Sequence, residues 1–445
     1  MRISSTMMSN NYLKQLNSTY EQYAKLMEQA DGSKLHRASD DAVGYSKYLR
    51  YQNNQISNEQ YQSNVSTASS WMKNADAALV NVTDLLLTFK AKVEQGANST
   101  NNESDMKDIA KELLANVQEQ VADLNTQIGD RFLFAGQKDT TMPFEISADK
   151  MDRGDTYTLD EKQSAFFSGA TSWGKENTTV KQMLELKGDD GNSYYMNVNT
   201  GDVYTEDFVK NGYKNEDKFD PATQAVANVT SGTPGTGQPY NVSENFDQYG
   251  VIIEGAAGSG VGTDASYTVK VDGKDVNLTL STTKQYIVKY AGDDKYISMV
   301  KKNGGVDQAT DTVNVTGQDI NGCDLFDVGN DPTSGTARLN QLLYTVAKMD
   351  AADYKWAGEQ GMTIADSAHA TVLGAQTKMA ARQQAYNSSS SMLVTQNESI
   401  TSDISDVSST DVALLATKLM EYQTIYSLSL SVGSKILPGT LADYL

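Results

Sequence analysis

The side chains able to carry chemistry are few and scattered along the chain. Only two histidines occur, His36 and His369, and neither has a second histidine or a cysteine at ligand spacing, which argues against a zinc centre or a histidine-activated nucleophile. His36 lies between Leu35 and Arg37 in a polar break and reads as a surface residue. The run Ser39-Asp40-Asp41 offers paired carboxylates for acid-base or metal chemistry. Its position just before a long helical pattern gives it a simpler use, because Ser and Asp cap the free N–H groups of a helix and complement its dipole. Gly188-Asp189-Asp190-Gly191-Asn192 has the flavour of a calcium loop, yet it lacks the spaced ligands and closing Glu of an EF-hand and reads as a turn. Glu145, Asp160 and Glu161 are carboxylates that a hydrolase could use, and nothing in the sequence pairs them with a nucleophile or ligand set. No phosphate-binding loop, dinucleotide fingerprint or Gly-x-Ser-x-Gly elbow occurs. The expectation is a protein with no catalytic, cofactor or metal site.

Composition narrows the partners. A net charge of −20 and a pI near 4.5 oppose nucleic-acid binding. A mean hydropathy of −0.50, with no long apolar run, gives no membrane insertion. The first residues turn polar at once, so no cleaved signal peptide is expected. The single cysteine, Cys323, forbids an intramolecular disulfide. Triplets such as Asn228-Val229-Thr230 carry little weight in a chain this rich in Asn, Ser and Thr.

Helical periodicity dominates both ends. Leu13, Leu16, Tyr20, Tyr23 and Met27 recur at gaps of three and four before Asp31-Gly32-Ser33 breaks the pattern. A longer stripe runs Tyr61, Val65, Ala68, Met72, Ala75, Leu79, Val82, Leu86, Phe89 and Val93, followed after a polar loop by Met106, Ile109, Leu113, Val117, Val121, Leu124 and Ile128. Near the other end, Ala365, Ala368, Val372, Ala375, Met379, Tyr386, Leu393 and Ile400 mark a long helix, and Leu415, Leu419, Tyr422 and Tyr426 a last amphipathic one. Between them, β-branched and aromatic residues alternate with turn dipeptides such as Asp190-Gly191, Thr200-Gly201, Asp272-Gly273, Asn303-Gly304 and Asn321-Gly322.

A heptad stripe cannot be buried by one helix, so the two ends should pack on each other. The fold class is α+β: a long antiparallel coiled-coil-like helical rod from the N- and C-terminal segments with an inserted β-rich central region. The expected divisions are an N-terminal assembly helix (1–38), a helical hairpin (39–139), an outward β-rich insertion (140–332) with a further split near 231–239, C-terminal helices (333–404) and a C-terminal assembly helix (405–445). The outermost segments, 1–30 and 410–445, have narrow seams and should order fully only on contact with partners. Tyrosines on these stripes suit a subunit interface, since the ring buries area while the hydroxyl tolerates water. The expected assembly interface is Leu13, Leu16, Tyr20, Tyr23, Met27, Leu415, Leu419, Tyr422 and Tyr426.

Three motifs add a family to this reading. Met1-Arg2-Ile3-Ser4-Ser5-Thr6-Met7-Met8, Leu35-His36-Arg37-Ala38-Ser39-Asp40-Asp41-Ala42-Val43-Gly44 and Gly129-Asp130-Arg131-Phe132-Leu133-Phe134-Ala135-Gly136 resemble the flagellin superfamily. The first and third look more like its hook-filament junction branch, the hook-associated protein 3 family, and the stretch Leu414 to Leu445, ending Leu441-Ala442-Asp443-Tyr444-Leu445, is similar to that family's terminus. Ala42 departs from the Pro usual there in junction proteins, and Asp-Asp-Ala is the flagellin habit, so flagellin itself stays open. The resemblance implies a bacterial flagellum, with export by the type III route without a cleaved signal and an extracellular site. It also implies self-assembly in a ring, contact with an adjacent hook-associated protein and flagellin, and an export chaperone.

Overall fold

The computed structural model describes residues 5–167, 180, 182–197, 202–212, 224–228, 266–271, 273–301, 311–322 and 335–436. Cys323, the 231–239 stretch, Thr200-Gly201, Asn303-Gly304, Val229-Thr230, the first four residues and the terminal Leu441–Leu445 motif lie outside them, as does the side chain of Glu161. Long helices at both ends enclose a central β-rich region, as the periodicity requires. The chain forms two compact units: Met1–Ser66 with Lys301–Asn303 and Ser388–Leu445, and Thr67–Val300 with Gly304–Asn387.

In the first unit, α1 (Ser5–Glu28) ends in a short 3-10 turn and at Gly32, whose φ of 93° is the left-handed conformation that glycine adopts without a Cβ penalty. The helix α2 (Ala42–Gly96) begins at a cap made by Asp41, whose Oδ1 accepts from the N–H groups of Val43 and Gly44 at 3.0 and 2.9 Å. Its early turns face the distal part of a later helix, α8 (Met362–Ser408), through amides. Asn58, almost fully buried, donates to Gln396 Oε1 at 3.4 Å, and Gln62 Nε2 donates to the Leu393 carbonyl at 3.3 Å. A buried amide pair of this kind stabilises one register of two helices over its neighbours.

The second unit is a helical core with a sheet built onto it. The stripe of α2 from Ala68 to Val93 is buried, as are Met106, Ile109, Leu113, Val117, Val121 and Leu124 of α3 (Glu103–Leu124). A capping box at Asn102 and Asp105 fixes the start of α3. The later helices α7 (Ala337–Asp350) and α8 (Met362–Ser408) complete the core with Leu339, Leu342, Val346, Ala365, Val372 and Met379. The run Phe132-Leu133-Phe134 is buried beside a small hairpin of β1 (Gln127–Ile128) and β2 (Arg131–Phe132).

The insertion leaves and returns through a paired stem. Outgoing β3 (Phe144–Ile146) and β4 (Met151–Gly154) lie antiparallel to returning β13 (Val288–Tyr290) and β12 (Thr282–Gln285), with Phe144 opposite Tyr290 and Gly154 opposite Thr282. Asn340 of α7 ties the stem to the helices, its Oδ1 accepting from the Val288 N–H at 2.9 Å. Above the stem, β5 (Thr156–Thr158) and β11 (Lys274–Leu280) pair with successive parts of β6 (Gln182–Gly188). The sheet then continues through β7 (Ser193–Met196), β8 (Asp202–Thr205) and β9 (Ala227–Asn228), while β10 (Ser266–Val271) flanks β11. Strand alternation gives two cores. Leu184, Leu186, Tyr194, Met196 and Val203 fill one face; Met183, Tyr195 and Tyr204 fill the other with Phe167 and Val209. The latter two belong to short helices absent from the sequence reading, α4 (Glu161–Phe167) and α5 (Glu206–Lys210).

Where stem meets sheet, three strands share one buried polar junction. The Asp155 N–H donates to Ser281 O, Glu185 N–H to Asp155 O and Ser281 N–H to Glu185 O, at 2.7, 2.8 and 3.1 Å. The Ser281 hydroxyl donates to Asp155 Oδ2 at 2.7 Å. Burial first, and the Asp155 charge second, raise the Glu185 carboxyl above its usual value of 4.5. The folded chain then holds that proton more tightly than the unfolded chain, so this group lowers stability as pH climbs from about 4.5 through its raised value. Glu185→Gln should therefore flatten that decline and leave the protein more stable at pH 8, with little change at pH 4, as read by urea denaturation across the range.

Candidate assembly surface at the paired chain ends

The last helix, α9 (Val412–Ile436), lies antiparallel to α1. The chain positions them with a short backbone clasp: the Thr410 N–H donates to Gly32 O at 3.0 Å, the Lys34 N–H donates to Ser408 O at 2.7 Å, and Ser33 and Ser409 form an antiparallel bridge. Asp31 and Asp40 brace the same break. Asp40 Oδ2 accepts from the N–H groups of Arg37 and His36, and His36 Nε2 lies 2.9 Å from Asp31 Oδ2. The His36 bond chiefly holds Asp31 below the usual carboxylate range, and the Arg37 N–H does the same for Asp40. These carboxylates shape a turn, which is the capping reading of Ser39-Asp40-Asp41.

Along α1 the half-buried positions include Tyr12, Leu16, Thr19, Tyr23 and Leu26, at gaps of four and three. Leu16 and Tyr23 belong to the expected interface, while Leu13, Tyr20 and Met27 are exposed. On α9, Leu415 is buried and Leu419, Tyr422 and Tyr426 are half-buried, so these four share a face. The stripe continues through Ser429 to Gly433. There the Tyr12 hydroxyl donates to the Ser429 carbonyl at 2.6 Å, and its ring lies where a Cβ on residue 433 would stand. Higher up, the Tyr20 and Tyr426 rings are 5.8 Å apart. Sequence reasoning missed Tyr12, Thr19 and Gly433 because a hydrophobicity count weighs a hydroxyl or an absent side chain as neutral; the small residue opposite a large one was the available signal.

The two helices do not hide one another's apolar surface. On α9, Val412, Leu414, Met420, Ile425, Leu428, Leu430 and Val432 stay exposed, Met420 at 67% and Leu428 at 61%. Such a helix is apolar on more than one side and has a helical partner on one. Exposed apolar side chains on several sides of one helix make it a candidate for contact with other molecules.

The other candidates do not form a reactive site. Glu145 is exposed on β3, and Asp160 caps α4 by accepting from the Gln163 N–H at 2.7 Å. Asp190 is spent on its own turn, accepting from Asn192 and from the Tyr194 hydroxyl at 2.7 Å, which lowers its pKa. Asp189 binds Asn277 across the sheet at 2.8 Å. His369 is half-buried on α8. Among the described residues no three His, Cys, Asp or Glu side chains converge as metal ligands, and no helix is long and apolar enough to cross a membrane.

Helices α1 and α9 thus pair along one face and leave apolar side chains uncovered on others. Residues 3–139 match the family model of the bacterial flagellin N-terminal helical region. Phase 2 flagellin of Salmonella typhimurium is 25% identical over 378 residues, spanning 80% of this chain and 68% of that one. Flagellin of Salmonella montevideo is 22% identical over 302 residues, spanning 60% and 58%. Among solved structures, one assigned to a flagellar hook-associated protein from Vibrio parahaemolyticus aligns over 83% of this chain and all of its own, at 14% identity and a TM-score of 0.45. The flagellar junction protein FlgL from Legionella pneumophila aligns over 76% and 98%, at 13% identity and a TM-score of 0.33.

The α1–α9 contact makes a direct prediction. Tyr12→Phe should cost about 1 kcal/mol of local stability through the lost hydrogen bond. Gly433→Val, which displaces the ring, should cost more. In hydrogen exchange both variants should speed exchange in 5–28 and 412–436 and leave the amides of 182–188 and 193–196 unchanged.

Proposed function

We propose that this chain is a structural subunit of the bacterial flagellum, not an enzyme, which joins the hook-associated region to the flagellin filament. The observation that carries the proposal is the uncovered apolar surface of α9 beside α1, in a chain whose residues 3–139 match the flagellin N-terminal helical region. Leu13, Leu16, Tyr20, Tyr23, Met27, Leu415, Leu419, Tyr422 and Tyr426 act in assembly, some by holding the helix pair and the exposed ones by meeting neighbouring subunits. The segments 1–38 and 405–445 are assembly helices, 39–139 and 333–404 their helical continuation, and 140–332 the outward insertion. The chain self-assembles in a ring between an adjacent hook-associated protein and flagellin. It reaches the outside of the cell by the flagellar export route with a chaperone.

A second reading, flagellin itself, is favoured by Asp40-Asp41-Ala42 and by the 25% identity to phase 2 flagellin. Salt-induced polymerisation watched by electron microscopy separates the two. Long filaments from the purified chain alone would establish flagellin, because a filament subunit extends its own lattice. Binding to hook ends without elongation supports the junction subunit.

Substitutions test the surface. Leu419→Asp strikes the helix pair, and Met420→Asp, on the exposed side, leaves that packing intact. Both should abolish incorporation into flagella, and only Leu419→Asp should reduce monomer helicity. Normal incorporation of Met420→Asp would overturn the proposed use of that face.

A further inference from the structure

A cavity of about 810 Å³ lies where β5 and α4 approach the helices, lined by Thr158, Asp160, Asn321, Arg338 and Asp366, among others. Asn321 ends the short helix α6 (Gly317–Asn321), and Arg338 sits on the first turn of α7. Arg338 is only 2% exposed. Its Nε donates to Asn321 Oδ1 at 2.8 Å and one Nη to Gln120 Oε1 at 2.6 Å, both neutral amides, while the other Nη has no partner. Two further donors on the same lining are equally unspent, the Thr158 hydroxyl and Asn321 Nδ2. The carboxylates there are engaged elsewhere, Asp160 with the Gln163 N–H and Asp366 with Lys90 at 2.5 Å. No carboxylate lies within ion-pair range of Arg338 among the described residues.

A buried guanidinium without a counter-charge is unfavourable, and burial brings its pKa down to about 9, so it remains cationic at neutral pH. A water molecule would satisfy two of these donors and leave the charge uncompensated. An oxyanion does both, since it brings several lone pairs and a negative charge to a bidentate fork.

We propose that this cavity is a binding site for a small oxyanion, phosphate or carboxylate, held by Arg338, Thr158 and Asn321. The bound anion bridges β5 to α6 and α7 and so secures the base of the insertion to the helices.

Titration calorimetry and thermal unfolding of the full chain, in sodium phosphate or sodium acetate against sodium chloride at equal ionic strength, test the site. The expected result is saturable binding and a rise in melting temperature with phosphate, acetate or both, the arms showing which oxyanion the cavity takes. Thr158→Val should weaken that binding about tenfold, the loss of one hydrogen bond to a charged group. Arg338→Met should abolish it. If Arg338→Met does not fold, Thr158→Val carries the test, because its hydroxyl is unspent without ligand and its removal does not harm the empty protein. An effect no larger than chloride's, or one unchanged in Thr158→Val, overturns the proposal. So does binding that emerges only after Asp324→Asn, Asp327→Asn and Asp331→Asn together, since the chain's own carboxylates would then be the arginine's partners.

Discussion

An apolar stripe recurring every three or four residues has to be covered by another helix, and each of the long helices here carries one. The stripe of α2 runs from Tyr61 to Val93 without a polar break, so most of it is buried against other helices of its unit. Its partners are α3, next along the chain, and residues 362–408 from the opposite end; because α3 also packs on α7, the segment between those two helices has to leave and return at one place. The paired stem of β3–β4 and β12–β13 follows from that constraint. So does the placement of Asn340, whose side chain satisfies a stem N–H from within the helical core.

The same requirement is met unevenly along the chain. In the second unit the stripes are covered, and three strands share the hydrogen-bonded junction at Asp155, Glu185 and Ser281. In the first unit α1 and α9 cover one face of each other and leave Leu13, Met27, Met420 and Leu428 in solvent. The covered stripes thus lie in one part of the chain and these uncovered apolar side chains in the other.

Legibility in the sequence followed the same division. The stripes of α2, α3 and α8 were readable because Leu, Val, Met and Phe hold a strict spacing over many turns, and the break at Asp31-Gly32-Ser33 was readable because only glycine fits a φ of 93°. The α9 face was readable from Leu415 to Tyr426 but not at Ser429 and Gly433, which carry no apolar side chain. The α1 face was readable in half, since Tyr12 and Thr19 hold seam positions through hydroxyl-bearing side chains. The central helices α4 and α5 were not readable. They are five to seven residues long, too short to display a period, and they form because Asp160 and Thr205 cap them and Phe167 and Val209 fill a sheet face. Nor did Arg338 signal its burial, because an arginine at a helix start reads as solvated, and only the folding of Gln120 and Asn321 around it says otherwise.

The stem has an evolutionary consequence. Phe144 stands opposite Tyr290, so the two strands that bound the insertion begin and end as neighbours whatever lies between them. Lengthening, shortening or exchanging the intervening sequence leaves the closing pair and its anchor on α7 intact, because loop closure costs little more for a long excursion than for a short one. Descendants of such a chain are free to diversify in size and surface through residues 156–280 while inheriting an unaltered pair of ends.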